Sequence, residues 1–342
     1  MTRAGRAGRW RTVVAIAVAA LLGGAAAVVL TRGDDTETGS DSTSPSATWP
    51  LLGTPGEATD RPALGVKIDN TDRGRPQAGL RAADVVFEEV VEGGLTRLLA
   101  VYHSTDPAAV GPVRSARSTD ISLLAELGRP LFAWSGANPT FGAAVAAADL
   151  VDVGFSAVPD AYRREPGRAA PYNLFATPDE LRSAGDDDGA PPPALFTYRA
   201  DGEELTGPEL RTVTGYQAST AATAIEWTWD AEARAWLRTQ NGTPHVDADG
   251  DRVAATNVVV RTTEYRDSGV RDSRGAVVPE AVTAGEGDAW LLADGHALPA
   301  RWQKADDDAP TVFTDLDGAP LLLTPGSTWV EVLPPGTGDV VG

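Results

Sequence analysis

Cysteine is absent from the chain of 342 residues, and lysine, histidine and methionine are scarce. Without a thiol, the chain forms no disulfide, holds no zinc through cysteine and carries out no thiol catalysis. It also has no cysteine to which a lipid anchor could be attached. Lys67 and Lys304 are the only lysines, so arginine supplies nearly all of the positive charge.

Basic residues are also few relative to acidic ones: the chain has 29 basic and 48 acidic residues and a formal net charge of −19. Nucleic-acid binding depends on a positive surface that displaces counterions from phosphates, so this balance excludes it. Metal-binding patterns are weak. Residues 247–251 resemble the start of a calcium loop, but their glycine comes too early and the closing glutamate is misplaced. We therefore expect neither a metal nor a cofactor.

The N-terminus carries the one long apolar run, residues 13–30, preceded by four arginines and followed by acidic residues. A run of this length can span a membrane, and the arginines should stay in the cytoplasm. We predict that residues 1–31 form a cytoplasmic basic stub and a single-pass membrane anchor, with everything after them outside the cytoplasm. The alternative is a cleaved signal peptide, with small residues at 25–27 for the peptidase and a secreted product.

Composition divides the rest of the chain into a linker and two predicted domains. Residues 32–60 are rich in Ser, Thr, Asp, Gly and Pro and should form a disordered tether. Residues 61–184 combine β-rich runs, including a hairpin across 92–94, with short helical segments. After a break at 185–193, residues 194–335 read as short strands separated by turns. The predicted fold class is α+β, with a mixed α/β N-terminal domain followed by a β-rich C-terminal domain.

Tryptophans are concentrated in the second predicted domain, where they could stack on sugar rings or fill a core. Trp227 and Trp229 fall on one face of a strand, which is what a core requires, so we predict core packing. The six residues concerned are Trp227, Trp229, Trp236, Trp290, Trp302 and Trp329.

A basic stretch at 111–120 stands out from the acidic background. Arg114 and Arg117 follow a Gly-Pro turn and precede an apolar helical run, which places positive charge where helix N–H groups already favour an anion. With Arg97 and Arg168 brought in by the fold, they would form a pocket for an anionic ligand. The alternative is a structural network in which these arginines pair with nearby acids.

The residues predicted to bind the ligand include charged, amide, hydroxyl and aromatic side chains. They are Asp69, Asn70, Arg75, Glu92, Thr96, Arg97, Arg114, Ser115, Arg117, Arg168, Tyr172 and Asn173.

Evidence for catalysis is weaker, and the candidates are Glu88, Asp69 and Ser115. Glu88 and Glu92 would lie on one face of a strand about 13 Å apart, too far for the paired acids of a glycosidase. Ser115 lacks the G-x-S-x-G pattern of a nucleophile elbow, and no S-x-x-K motif begins there. Whether the protein is an enzyme stays open at this point.

A series of short motifs in fixed order spans residues 61–334. They are Arg61-Pro62, Asp69-Asn70, Arg75-Pro76-Gln77-Ala78-Gly79-Leu80, Ala83-Asp84-Val85-Val86-Phe87-Glu88, Glu92-Gly93-Gly94-Leu95-Thr96-Arg97, Gly111-Pro112-Val113-Arg114-Ser115-Ala116-Arg117, Arg168-Ala169-Ala170-Pro171-Tyr172-Asn173-Leu174 and Pro325-Gly326-Ser327-Thr328-Trp329-Val330. The series resembles the YerB-like family of bacterial extracytoplasmic proteins, a domain of unknown function, in both its N- and C-terminal domains. The resemblance implies two domains and an envelope location, and it brings no established activity.

Two positions depart from that family. Its members are commonly lipoproteins, whereas this chain lacks the cysteine, so the predicted membrane helix would replace the lipid. Tyr172 stands where the family usually has histidine, so no imidazole mechanism is implied there.

The function expected from these features is that of a membrane-anchored envelope protein that binds an anionic, wall-derived ligand through an arginine cluster. One alternative is an envelope hydrolase or transferase that uses Glu88 or Asp69 as acid or base. Another is a scaffold for wall-synthesis proteins, so the expected partners are an anionic cell-wall ligand or an envelope protein, and the membrane.

Overall fold

The computed structural model describes residues 47–56, 59–185 and 188–342. The predicted membrane anchor, 1–31, and most of the predicted linker, 32–60, lie outside these residues. Within the described part of the chain, no helix is both long and apolar enough to cross a membrane.

Strands dominate the described residues. In chain order they are β1 Leu64–Asp69, β2 Val85–Val90, β3 Thr96–Tyr102, β4 Leu131–Ala133, β5 Val151–Asp152, β6 Tyr162–Arg164, β7 Leu174–Ala176, β8 Thr197–Tyr198, β9 Arg211–Thr212, β10 Gly215–Ser219, β11 Ala224–Asp230, β12 Ala235–Gln240, β13 Thr243–Pro244, β14 Ala254–Ala255, β15 Asn257–Thr262, β16 Tyr265–Arg271, β17 Val277–Ala281, β18 Gly285–Ala293, β19 His296–Lys304, β20 Val312–Asp315, β21 Leu322–Leu323, β22 Thr328–Leu333 and β23 Gly338–Val341.

Helices are few and short. They are α1 Ser118–Leu124, α2 Pro139–Ala147 and α3 Pro178–Gly185, with 3-10 turns at Leu80–Ala82, Glu92–Gly94, Ala125–Leu127 and Pro159–Ala161. The described chain is thus mostly strand with few helices, and the mixed α/β character predicted for residues 61–184 is not clear. The reason is that β1, β2 and β3 pair antiparallel, and only the short β4 and β5 continue the sheet in parallel.

The largest sheet has eleven strands in the order β20-β19-β18-β15-β22-β2-β3-β1-β4-β5, with β9 also paired to β19. Strand β22 lies between β15 and β2 and is parallel to both. Strands from both sides of the predicted break at 185–193 therefore belong to one sheet. The boundaries of the domains predicted at 61–184 and 194–335 remain predictions.

Alternate residues of the central strands point to opposite faces of the large sheet and belong to two different hydrophobic cores. Leu98 of β3 packs with Trp227 and Trp329 in the layer between the large sheet and a second sheet, β13-β12-β11-β10-β23 with β14 paired to β12. Leu99 faces the other way and belongs to a core that contains Leu123 of α1. This alternation follows from the strand repeat of two residues.

Core packing of tryptophan is confirmed for four residues, each at most 2% exposed. They are Trp227, Trp236, Trp302 and Trp329.

Local turn chemistry explains two hairpins of the large sheet. Gly93 and Gly94 both have positive φ, which lets the chain reverse between β2 and β3. Asp294 and Gly295 also have positive φ, as a type I′ turn requires, and connect β18 to β19. The hairpin across 92–94 was predicted from the sequence and is confirmed.

Candidate functional site

The predicted arginine cluster lies where β1 ends, β3 begins and α1 starts. Asp69 and Arg97 are register partners on neighbouring strands, so their side chains share one face of the sheet. Arg114 Nε donates to Asp69 Oδ2 over 2.6 Å, and Arg117 Nη2 lies 2.5 Å from Glu92 Oε1. Three guanidinium groups and two carboxylates thus meet in one place, whereas Arg168, the fourth arginine predicted for the cluster, is engaged elsewhere.

The backbone of the basic stretch explains this convergence. Asp69 N donates to the carbonyl of Pro112, and Arg114 N donates to the carbonyl of Lys67, so residues 112–114 run alongside the end of β1. Arg117 then caps α1, and Asp120 Oδ2 accepts a hydrogen bond of 2.7 Å from Arg117 N. The backbone of Arg114 is therefore fixed beside the end of β1, and the backbone of Arg117 is fixed at the start of α1.

Arg97 is the member of the cluster without an acid partner. It is 8% exposed, its Nη1 donates to the carbonyl of Ser115 over 3.2 Å, and among the described residues it makes no ion pair. Burial, together with the nearby charges of Arg117 and Arg114 and against those of Glu92 and Asp69, lowers the pKa of Arg97 to about 10. The cluster therefore holds one positive charge more than its carboxylates neutralise.

Arg114 is the member that a ligand can reach. Its side chain is 16% exposed, and only its Nε is used, on Asp69, among the hydrogen bonds of the described residues. Its two terminal nitrogens therefore have N–H groups to spare. The ring of Tyr172 lies 5.6 Å from the Arg114 guanidinium and 5.1 Å from that of Arg73, which brings the 168–174 motif to the edge of the cluster.

Three predicted ligand-binding residues are engaged elsewhere. Arg168 Nη2 donates to the carbonyl of Pro76 over 2.8 Å, and its guanidinium lies 5.3 Å from the ring of Phe175. Asn173 Oδ1 accepts from Arg164 Nη1. Arg75 pairs with the exposed carboxylate of Asp72. The contacts of the described residues do not tie Arg75, Arg168 or Asn173 to the three converging arginines.

Asn70 and Thr96 belong to a separate buried network on the opposite face of the sheet. Asn70 Nδ2 donates to Thr96 Oγ1 over 2.8 Å and to Glu88 Oε1 over 3.0 Å. Glu88 is fully buried, and both of its oxygens lie 2.8 Å from Arg238 Nη2. This geometry favours a structural role for Glu88, because its carboxylate has no path to a substrate.

Glu88 and Glu92 do not share a strand face. Glu92 lies in the 3-10 turn that follows β2 and pairs with Arg117, whereas Glu88 points into the layer between the two sheets. The expectation that the two acids line one face was wrong, because β2 ends at Val90 and the chain turns before Glu92.

Glu331 and Arg238 complete the buried network, and neither was predicted from the sequence. Glu331 of β22 is the register partner of Glu88, and its Oε1 accepts from Trp227 Nε1 over 2.8 Å. Burial raises the pKa of Glu331 well above its ordinary value, and the neighbouring charge of Glu88 adds to the effect, against the opposing charge of Arg238. Glu331 is therefore the acid of the pair whose protonated form the fold favours, whereas Arg238 forms its ion pair with Glu88.

We expect the substitution Glu331→Gln to stabilise the protein at pH 7 by about 1–2 kcal/mol. Unfolded glutamate ionises above a pKa of about 4.5, while the folded protein retains the proton, so the stability of the unsubstituted protein falls as the pH rises from that value. Glutamine does not titrate and still offers Trp227 an acceptor. Urea denaturation at pH values of about 5 and about 8 should show the advantage of the variant widening with pH. An equal difference at both values would contradict the assignment.

Two family models match this chain. The N-terminal domain of "Protein of unknown function (DUF3048)" matches residues 51–191, and its C-terminal domain matches residues 213–330. "Putative lipoprotein YerB" of Bacillus subtilis (strain 168) is 26% identical over 295 residues, which cover 83% of this chain and 86% of that protein. The crystal structure of the YerB protein from Bacillus subtilis has the same fold, with a TM-score of 0.72 at 23% identity, covering 86% of this chain and 99% of that one. These matches confirm the resemblance seen in the sequence motifs: the chain belongs to the YerB-like DUF3048 family.

Proposed function

We propose that this protein is an envelope protein that binds an anionic ligand, wall-derived in origin, through Arg97, Arg114 and Arg117. The observation that carries the proposal is the buried guanidinium of Arg97, which has no acid partner among the described residues. A buried charge without compensation is costly, and an anion bound beside it would remove that cost.

The envelope location rests on the relative that is described as a lipoprotein. Lipoproteins are held at a membrane surface through a lipidated cysteine, which this chain lacks. The apolar run at 13–30 would supply the anchor instead, with the folded part outside the cytoplasm.

The chemistry of the cluster suits a carboxylate or a phosphate. The unused terminal nitrogens of Arg114 form a planar fork that can bind two oxygens of one anion. Asp69 and Glu92 hold Arg114 and Arg117 in position and also compete with the ligand for them. We therefore expect moderate affinity that weakens as salt concentration rises.

The test is calorimetric titration of the full-length protein with inorganic phosphate and with a disaccharide-tetrapeptide from peptidoglycan, which carries free carboxylates. The variant Arg114→Gln should bind the effective anion at least about tenfold more weakly, since a charged hydrogen bond contributes ~1.5–3 kcal/mol. Arg234→Gln is the matched control, because the side chain of Arg234 is 77% exposed and lies outside the cluster. Unchanged affinity in Arg114→Gln, or no binding of either anion, would refute the proposal.

A second variant separates binding from folding. Arg97→Met removes a buried charge that has no acid partner, so the ligand-free protein should be as stable as the unsubstituted one or more stable by about 1 kcal/mol. Anion binding should nevertheless be lost. A large loss of stability in the ligand-free variant would instead identify Arg97 as a structural residue, and thermal denaturation with and without the anion distinguishes the two results.

A further inference from the structure

A cleft of about 270 Å³ opens between α1, the β16–β17 hairpin and the turn at 306–309. It is lined by residues of α1, by Arg266 and Glu280 of the hairpin, by residues 281–284, and by Asp307 and Asp308. None of these residues belongs to the arginine cluster. The cleft has room for one six-membered sugar ring.

The polar lining of the cleft consists of four hydroxyl side chains and four charged ones, of which Arg266 and Glu280 form an ion pair with each other. Ser122 Oγ donates to Thr283 Oγ1 over 2.7 Å, and Thr283 Oγ1 donates to Asp307 Oδ1 over 2.8 Å. Ser118 Oγ is shielded from bulk water and has no hydrogen-bond partner in the described part of the chain. Asp308 is exposed, and its carboxylate likewise has no partner among the described residues. The cleft thus presents both fixed hydroxyls and acceptors that are not yet used.

This set of groups determines what the cleft can accept. Serine and threonine hydroxyls both donate and accept, and ionised carboxylates only accept, so together they match the hydroxyl groups of a polyol. Small apolar residues such as Ala281 and Val282 offer contact area for the C–H face of a ring. Because Arg266 pairs with Glu280, the carboxylates of Asp307 and Asp308 leave the lining with a net negative charge, which disfavours an anion here, in contrast to the arginine cluster.

We infer that this cleft binds an uncharged sugar residue of a glycan, with Asp308 and Thr283 as its hydrogen-bonding partners. The inference goes beyond the proposed anion-binding function and does not depend on it. A glycan chain could occupy the cleft whether or not an anion is bound at Arg97.

The experiment is calorimetric titration of the full-length protein with two uncharged oligosaccharides, tetra-N-acetylchitotetraose and maltotetraose, at millimolar concentration. At least one should bind, and Asp308→Ala should weaken that binding about tenfold through the loss of a charged acceptor. Asp249→Ala is the matched control, since Asp249 is an exposed aspartate in a loop outside the cleft.

A second variant guards against an indirect effect of charge. Thr283→Val keeps the shape of a buried side chain while removing the hydroxyl that links Ser122 to Asp307, so it should also weaken binding. Arg114→Gln should bind the oligosaccharide as the unsubstituted protein does. Failure of both oligosaccharides to bind, or equal affinity in Asp308→Ala and Asp249→Ala, would overturn the inference.

Discussion

Replacement of Arg238 by methionine is expected to lower the free energy of unfolding by about 3–5 kcal/mol, because it would leave the carboxylate of Glu88 buried without a partner. Arg238 is fully buried on β12, and its Nη2 bonds both oxygens of Glu88 on the other sheet. Its Nη1 donates to Gln240 Oε1 over 2.7 Å. One side chain therefore satisfies polar groups contributed by both sheets.

Further contacts of Arg238 add to the expected loss of stability. Its Nη1 also lies 2.8 Å from His245 Nδ1, and burial, together with the charge of Arg238, lowers the pKa of His245 well below its ordinary value. The imidazole is thus neutral and accepts the hydrogen bond. The guanidinium also lies 5.1 Å from the ring of Trp329, a contact that methionine reproduces only in its apolar part.

A double variant makes the cause measurable. Glu88→Gln in the Arg238→Met background removes the unpaired charge, so it should recover at least about 1 kcal/mol of the loss in urea denaturation. Arg234→Met, in the exposed turn between β11 and β12, is the matched control and should change stability by less than about 0.5 kcal/mol. If Arg238→Met is as stable as the control, the network does not stabilise the packing of the two sheets.

Replacement of Lys67 by methionine is expected to have an effect of similar size, about 3–5 kcal/mol, on the opposite face of the large sheet. Lys67 Nζ lies 2.5 Å from Glu89 Oε1 and 2.7 Å from Asp120 Oδ1, and all three residues are at most 1% exposed. Burial raises the pKa of Glu89, opposed mainly by the charge of Lys67. Without the lysine, two acids would remain buried with no cation between them.

The pH dependence of this loss identifies its origin. In Lys67→Met the two acids can escape the buried charge by taking up protons, which becomes easier as the pH falls, so the deficit relative to the unsubstituted protein should shrink between pH ~8 and ~5. Lys67→Arg keeps the charge and should lose less stability than Lys67→Met. Denaturation curves for both variants across this range provide the measurement, and a deficit that does not change with pH would indicate lost packing rather than unpaired charge.

Lys67→Met should also disturb the proposed anion site. Asp120 bonds both Lys67 and the backbone N–H of Arg117, so the buried triad holds the start of α1 against β1. The position of Arg117 in the arginine cluster therefore depends on the buried triad of Lys67, Glu89 and Asp120.

Local features of this fold could be predicted from the sequence. The β2–β3 hairpin follows from paired glycines between two β-rich runs. Such features depend on residues close together in the chain, where turn chemistry and periodicity act directly.

Long-range features could not be predicted in the same way. Glu88 and Trp329, which share a hydrogen bond, are 241 positions apart, and periodicity carries no information about which strands become neighbours. The signal for the buried network was charge within two largely apolar strands, at Glu88 and Glu89 in β2 and at Glu331 in β22. Such a pattern indicates that a buried charge needs a partner. The partner, Arg238, can be identified only from the structure, because it lies on the second sheet.

Insertion of β22 between β2 and β15 has a consequence for how a newly made chain matures. Both neighbours are synthesised earlier, and each has one side already occupied, β2 by β3 and β15 by β18. Until Leu333 is available, each presents an open row of backbone donors and acceptors, which is the arrangement that invites misassembly. The centre of the large sheet is thus closed by a strand that is synthesised after both of its neighbours, so a copy interrupted before Thr328 would be left with two unpaired strand edges there.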